Sequence, residues 1–490
     1  MNLSIWDGLT KIIKIVIHER TYLLRHYLSV MKKIALLFLL AASACTSFAA
    51  VRLPAVIADS MVLQQQSTAK LWGWCEPAEM IYVTTSWNNR TDSVRGSRDG
   101  NWLLSIPTPA AGGPYTIRIK AGNTIDLKGI LIGEVWVCSG QSNMEMSESW
   151  GLPDVRSEFP NAANPSIRLF HIPKTTALYP QDDCKATWIS CDSNQLKSFS
   201  AAAYFFGKRL SERLHVPVGL IEAAWGGTAA EVWTPEQYVT ADPALRQAAD
   251  SLQPADWWPH VPGYCYNGMI APVTNYNVAG FIWYQGESNA ATAATYAHLL
   301  DTMILAWRKA WGAPLPFYYV QIAPFAYEHH ENAPLLREQQ EFAARPDHTG
   351  MVVISDLVTD TTNIHPKNKH EVGYRLAAWA LADTYHQKDV VYKSPWLESF
   401  ETKGDKLIVH IADAPGGLRL SGPDVRALYI AGEDKIFYPA ELTIEGDRLI
   451  VSSKQIKRPV AVRYQYSNAG IGNIFGTSGL PLAPFRTDRW

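Results

Sequence analysis

The chain has no block of positive charge. Its formal net charge is −2, with 44 Lys and Arg against 46 Asp and Glu. Phosphate binding needs a concentrated cationic surface, so nucleic acid is a poor partner. No Cys-x-x-Cys pair and no His-x-x-x-His spacing occurs, so no spacing suggests zinc. Cysteine is scarce. Of six in all, Cys75, Cys138, Cys184, Cys191 and Cys265 lie beyond residue 50. That odd number excludes a fully paired disulfide framework, although Cys184 and Cys191 are near enough in sequence to pair in an oxidising compartment. The N-terminal apolar run, Ile34 to Ala42, is too short to span a bilayer comfortably.

What is present is a soluble globular composition. The 490 residues are 47% hydrophobic and 18% charged, enough for a sizeable core and too long for one ordinary domain. The 18 Trp and 22 Tyr serve chiefly as core, with some free to form platforms for sugar rings. Met31-Lys32-Lys33, the apolar run and the small residues up to Ala49 read as a secretory signal peptide over 31–49, with cleavage after Ala49. Residues 1–30 then form an extension ahead of it, and Met31 is the expected start. This places the protein outside the cytoplasm, secreted or periplasmic, without stable membrane insertion. The competing expectation is a lipoprotein acylated at Cys45.

Residues 51–130 alternate short strand-like runs with Gly, Asn, Asp and Pro turns, as in a small β-sandwich. Over 131–388 five apolar runs alternate with helical segments: Leu131–Cys138, Val218–Ala224, Val278–Tyr284, Phe317–Ile322 and Met351–Ser355. Continuous apolar strands separated by helices imply an α/β domain, its parallel sheet covered on both faces. Ligands of such sheets bind at the carboxyl ends of the strands. Residues 389–490 return to β, either as a separate unit or packed with 51–130.

Four segments fall at those carboxyl ends. Ser142, in Cys138-Ser139-Gly140-Gln141-Ser142-Asn143-Met144, follows the first strand and reads as a helix cap or a nucleophile. Gly226 and Gly227 follow the second and form a turn or supply oxyanion-binding amides. Gln285 and Asn289 follow the third, with side-chain amides able to meet an oxyanion and Glu287 able to orient them. His365 follows the fifth, just before a helix that Pro366 is suited to open. A hydroxyl, a base and preorganised donors are what ester hydrolysis requires.

These blocks resemble those of the SGNH, or GDSL-like, hydrolases, and more narrowly the bacterial sialate O-acetylesterases. The resemblance rests on Gly-Glu-Val-Trp-x-Cys-Ser-Gly-Gln-Ser-Asn-Met-Glu-Met at 133–146, Trp-Gly-Gly-Thr at 225–228 and Tyr-Asn-Gly-Met-Ile-Ala-Pro at 266–272. Trp-Tyr-Gln-Gly-Glu-Ser-Asn at 283–289 and Ile-His-Pro-Lys-Asn-Lys at 364–369 complete it. It implies a flavodoxin-like α/β/α domain with a five-stranded parallel sheet, flanked by β-sandwich-like regions. It implies no metal and no cofactor, and an acetylated sugar or glycan as substrate. Ser142 is then the nucleophile and His365 the base. The amides of Ser142 and of Gly226 or Gly227 form the oxyanion hole, with Gln285, or else Asn289, as third donor. The chain departs from the pattern at the acid. Thr362 and Asn363 occupy the positions three and two before His365, which leaves Asp360 as the candidate carboxylate and Asn363 as the alternative. Removal of sialic-acid, xylan or other glycan acetyl groups are the competing activities. A non-catalytic glycan-binding protein is the alternative of another class. Arg337 is a candidate for a substrate carboxylate.

Overall fold

The computed structural model describes residues 3–43, 50–327, 332–343 and 346–490. Leu3–Ser43 is one helix, exposed along its described side chains. Met31 lies inside it, whereas Cys45 and the expected cleavage point after Ala49 fall outside the described residues. Among the described residues no helix is long and apolar enough to cross a membrane.

The central sheet has seven strands: β1 Thr124–Gly140, β2 Asn164–His171, β3 Trp188–Cys191, β4 Val218–Ala224, β5 Gly280–Tyr284, β6 Phe317–Val320 and β7 Thr349–Val352. Their order is β7-β6-β5-β1-β4-β2-β3. All neighbours pair parallel except β3, which runs antiparallel to β2. The expected five-stranded parallel sheet is therefore a mixed, larger one. The two strands that apolar patterning missed lie at its edge, where β2 alternates buried with half-exposed residues and offers no continuous apolar run. The five strands it found are wholly buried where they cross the centre, as β4 and β5 illustrate.

β1 is unusually long. Its first half pairs with Gly112–Lys120 and Val62–Gln64 of the N-terminal β region, and its second half is the middle of the central sheet. Helices cover both faces. Ala201–Leu214, capped by the Ser200 hydroxyl accepting from the Ala203 amide at 3.1 Å, packs with Lys369–Trp379 on one side. Tyr296–Trp311 and Ala333–Ala343 cover the other. Most of the aromatic load is core: Trp136, Trp233, Trp283 and Trp307 are fully buried. Residues 396–486 contain two four-stranded antiparallel sheets around their own core of Leu407, Val409, Ile430, Leu449, Val462 and Tyr464. Cys184 and Cys191 are both free thiols. Strand β3 ends on Cys191 and extends the chain between them by about 3.3 Å per residue.

The chain leaves β1 toward β2 and later returns to lay β5 on the other side of β1. That reversal of direction opens a crevice at the carboxyl ends of β1, β4 and β5.

Candidate active site

Ser142 sits where β1 turns into the four-residue helix Ser142–Glu145. The turn depends on Gly140, whose φ is +145°. A Cβ there would lie 2.2 Å from the Tyr284 carbonyl oxygen of neighbouring β5. Gln141 has no side-chain capping bond, and its amide donates to the Tyr284 carbonyl at 3.0 Å. Ser142 is thus the first residue of the helix, not its cap. Its amide and that of Gly227 donate to no acceptor among the described residues.

The Ser142 Oγ lies 3.0 Å from His365 Nε2. His365 is half-buried, and the Trp150 ring meets its edge with centroids 5.4 Å apart. Burial, and then the positive charge of Lys369, hold the imidazole below its ordinary value, which favours the neutral base. The helix after it begins at Lys369 rather than Pro366. Asn368 is its cap and accepts from the Glu371 amide at 3.0 Å. His365 therefore stands in a loop four residues ahead of the helix.

No carboxylate reaches the His365 ring among the described residues. Asp360 is exposed and turned inward on its own loop, where Oδ1 accepts from the Thr362 amide at 2.9 Å and from the Thr362 hydroxyl at 2.6 Å. Asn363 accepts from the His365 backbone amide at 2.9 Å and so shapes the loop rather than the ring. The Ser142–His365 pair therefore has no acidic third member among the described residues.

The other expected oxyanion donors are spoken for. The Gly226 amide donates to Glu145 Oε2 at 2.6 Å, and Glu145 Oε1 pairs with Lys174 Nζ at 2.6 Å. A Cβ on Gly226 would stand 3.3 Å from Ser142 Cβ, so this glycine lies directly against Ser142. Gln285 is fully buried and donates to the Thr228 carbonyl at 3.1 Å and Asn289 Oδ1 at 2.8 Å. Asn289 donates in turn to Glu231 Oε2 at 2.8 Å. Both amides brace the loops beneath the site, because a buried polar group must find partners somewhere. Gly227, at φ +81°, packs against the Trp258 ring, which a Cβ would strike at 2.2 Å.

Glu287 does not orient those amides. Its Oε1 accepts from Asn143 Nδ2 at 2.6 Å. The same Nδ2 donates to the Ile364 carbonyl at 3.1 Å, and Asn143 Oδ1 accepts from Lys369 Nζ at 2.6 Å. Asn143 and Lys369 were invisible as site residues in the sequence, although both lie inside the recognisable blocks. The available signal was a charged residue in the first turn of a helix that has to be buried on the sheet. Burial lowers the Lys369 ammonium to about 7, against the pull of Glu287 and Asp154, and raises the Glu287 carboxyl. Arg337 is buried, and its bonds go to backbone carbonyls of the C-terminal β region rather than to the Ser142–His365 pair. It donates to the carbonyls of Gln465 at 3.1 Å, of Asn468 at 3.4 Å and of Ser467, joining Ala333–Ala343 to the C-terminal β region.

The profile of the family described as carbohydrate esterase, sialic acid-specific acetylesterase, matches residues 132–382. The sialate O-acetylesterase of Homo sapiens is 29% identical over 402 residues, covering 74% of this chain and 76% of its own. That of Rattus norvegicus is 27% identical over 415 residues, covering 71% and 76%. The crystal structure of a carbohydrate acetylesterase from Xanthomonas citri is 34% identical, with a TM-score of 0.82, covering 90% of this chain and 100% of that one.

Proposed function

The chain belongs to the sialic acid-specific acetylesterase family of carbohydrate esterases, and from that premise we propose that it removes O-acetyl groups from sialic acids through a Ser142–His365 dyad. Membership in the family sets aside the non-catalytic glycan-binding alternative. The observation that carries the reading is the 3.0 Å approach of Ser142 Oγ to His365 Nε2 at the crevice of the sheet.

Neutral His365 takes the Ser142 proton as the oxygen attacks the acetyl carbonyl. The resulting oxyanion is held by the amides of Ser142 and Gly227, at the start of the Ser142–Glu145 helix. The imidazolium then protonates the departing sugar oxygen. Water, activated by the same ring, releases acetate and restores the serine. Gly226 joins the oxyanion hole only when Glu145 gives up its amide.

Met31–Ala49 supports a periplasmic or extracellular setting, where acetylated glycans are met. A second reading is deacetylation of xylan or another glycan, with which the Xanthomonas citri relative, described as a carbohydrate acetylesterase, is equally compatible. Acetate release by the purified protein from O-acetylated sialic acid and from acetylated xylose, with Ser142→Ala as control, decides between them. Preference for the sialic acid ester upholds the first reading, and preference for acetylated xylose replaces it with the second.

A further inference from the structure

Asn143 lies between two groups of opposite hydrogen-bonding character. A lysine nitrogen facing an amide oxygen donates whether charged or neutral, and a carboxylate oxygen facing an amide nitrogen accepts. Lys369 Nζ at Asn143 Oδ1 and Glu287 Oε1 at Asn143 Nδ2 therefore fix which way the amide faces. Held that way round, the amide aims its remaining N–H at the Ile364 carbonyl, 3.1 Å away and one residue before His365. Asn143 is fully buried, as is Lys369, and Glu287 is nearly so. The Lys369 ammonium also sits over the Tyr284 ring, 4.8 Å from its centroid. Three of the four chemistry-bearing segments meet here: the nucleophile helix, the loop after β5 and the histidine loop.

We propose that Asn143, clamped between Lys369 and Glu287, is the positioning residue that fastens the His365 loop to Ser142, taking over the orienting task that an acid performs in a full triad. The proposal rests on the Ser142–His365 reading above. A buried cluster of this kind is costly unless every member is bonded, and here the bonds hold two loops in one register. The charged and titratable neighbours are few. Lys369 faces both Asn143 and His365; Glu287 and Asp154 face Lys369, with Asp154 Oδ2 accepting from the Lys369 and His370 amides at 2.8 and 2.9 Å. On the histidine's own loop Asp360 bonds Thr362, and beyond Ser142 Glu145 is neutralised by Lys174.

The test is Asn143→Ala, read by steady-state turnover of an acetyl ester and by NMR titration of the His365 ring in histidine-labelled protein. Loss of the clamp leaves Lys369 without its acceptor and the loop free to open. Both effects move the His365 titration upward, toward its ordinary value, and the acid limb of the rate profile moves with it. The kcat falls about a hundredfold, the scale of a misplacement of about 1 Å, with KM nearly unchanged. A folded variant that keeps wild-type kcat, or whose histidine titrates where wild type does, overturns the proposal. If Asn143→Ala does not fold, the isosteric Asn143→Asp keeps the oxygen for Lys369 and removes both donated bonds. Its kcat falls likewise, and wild-type turnover there overturns the proposal equally. The NMR titration needs no turnover, so absence of Ser142-dependent acetate release would contradict the proposed function and leave the clamp to be judged by the His365 shift.

Discussion

Replacing Asp360 by Asn distinguishes a dyad from a triad over several orders of magnitude. In a serine triad, loss of the buried acid lowers turnover by about 10⁴, because the histidine loses both its tautomer and the partner of its charge. Asp360 has neither role here. Its carboxylate is exposed and bonded to the Thr362 hydroxyl and amide, which hold it below the ordinary carboxylate range. Asn at this position retains an oxygen for those same two donors. The loop therefore keeps its shape, and Asp360→Asn is expected to keep kcat/KM for a chromogenic acetyl ester within about threefold of wild type. Asn363→Asp completes the comparison. The Asn363 side chain reaches the His365 backbone amide at 2.9 Å, so a carboxylate there stays on the backbone and gives no more than about a threefold gain. Steady-state kinetics from pH 5 to pH 9 provide the assay. A loss near 10³ or more in Asp360→Asn, in folded protein, refutes the reasoning and returns Asp360 to the ring.

Other expectations follow from the same geometry. Gly140→Ala forces a side chain into positive φ and onto the Tyr284 carbonyl. About 3 kcal/mol of stability is lost, from strain and overpacking, as measured by urea denaturation. Arg337→Met leaves the buried Gln465 carbonyl and the part-buried Ser467 carbonyl short of a donor, while the Asn468 carbonyl keeps the Phe325 amide at 3.0 Å. It costs about 2 kcal/mol in the same measurement with KM for a sialic acid ester unchanged, whereas a raised KM would restore Arg337 as a substrate ligand. Burial holds Lys369 at about 7, below the ordinary lysine value of 10.5. Between those values the unfolded chain holds the extra proton, so stability rises with pH across that window. Denaturation of wild type and Lys369→Met at pH 7 and pH 10 checks this: wild type gains relative to the variant on going up, and a gain in the other direction contradicts it.

The alternation of apolar strands and helices made the layered α/β core legible, because strands buried on both faces leave continuous apolar runs. It failed at β2 and β3, which lie at the sheet edge and need no such run. The meeting of Ser142 with His365 was legible because their order after β1 and β7 follows from where such sheets bind ligands. The bonding of Gln285, Asn289 and Glu287 was not. Residue type shows that an amide can donate, but not which acceptor it meets first, and here the acceptors are buried carbonyls and carboxylates contributed by other loops. The same holds for Gly226, whose free amide in sequence terms is occupied by Glu145, 81 residues earlier. The missing acid was visible as an absence at positions 362 and 363. That Asp360 does not fill it depends on a two-residue turn whose bonds with Thr362 are only apparent in three dimensions.

The central claim is that Ser142 is the nucleophile. Incubation with a fluorophosphonate, followed by peptide mass spectrometry, tests it most directly, since the reagent phosphonylates only an activated serine. The account predicts one adduct, on the peptide carrying Ser142, its formation matching the loss of acetate release, and none in Ser142→Ala. An adduct on another serine, or full esterase activity remaining in Ser142→Ala, would contradict it.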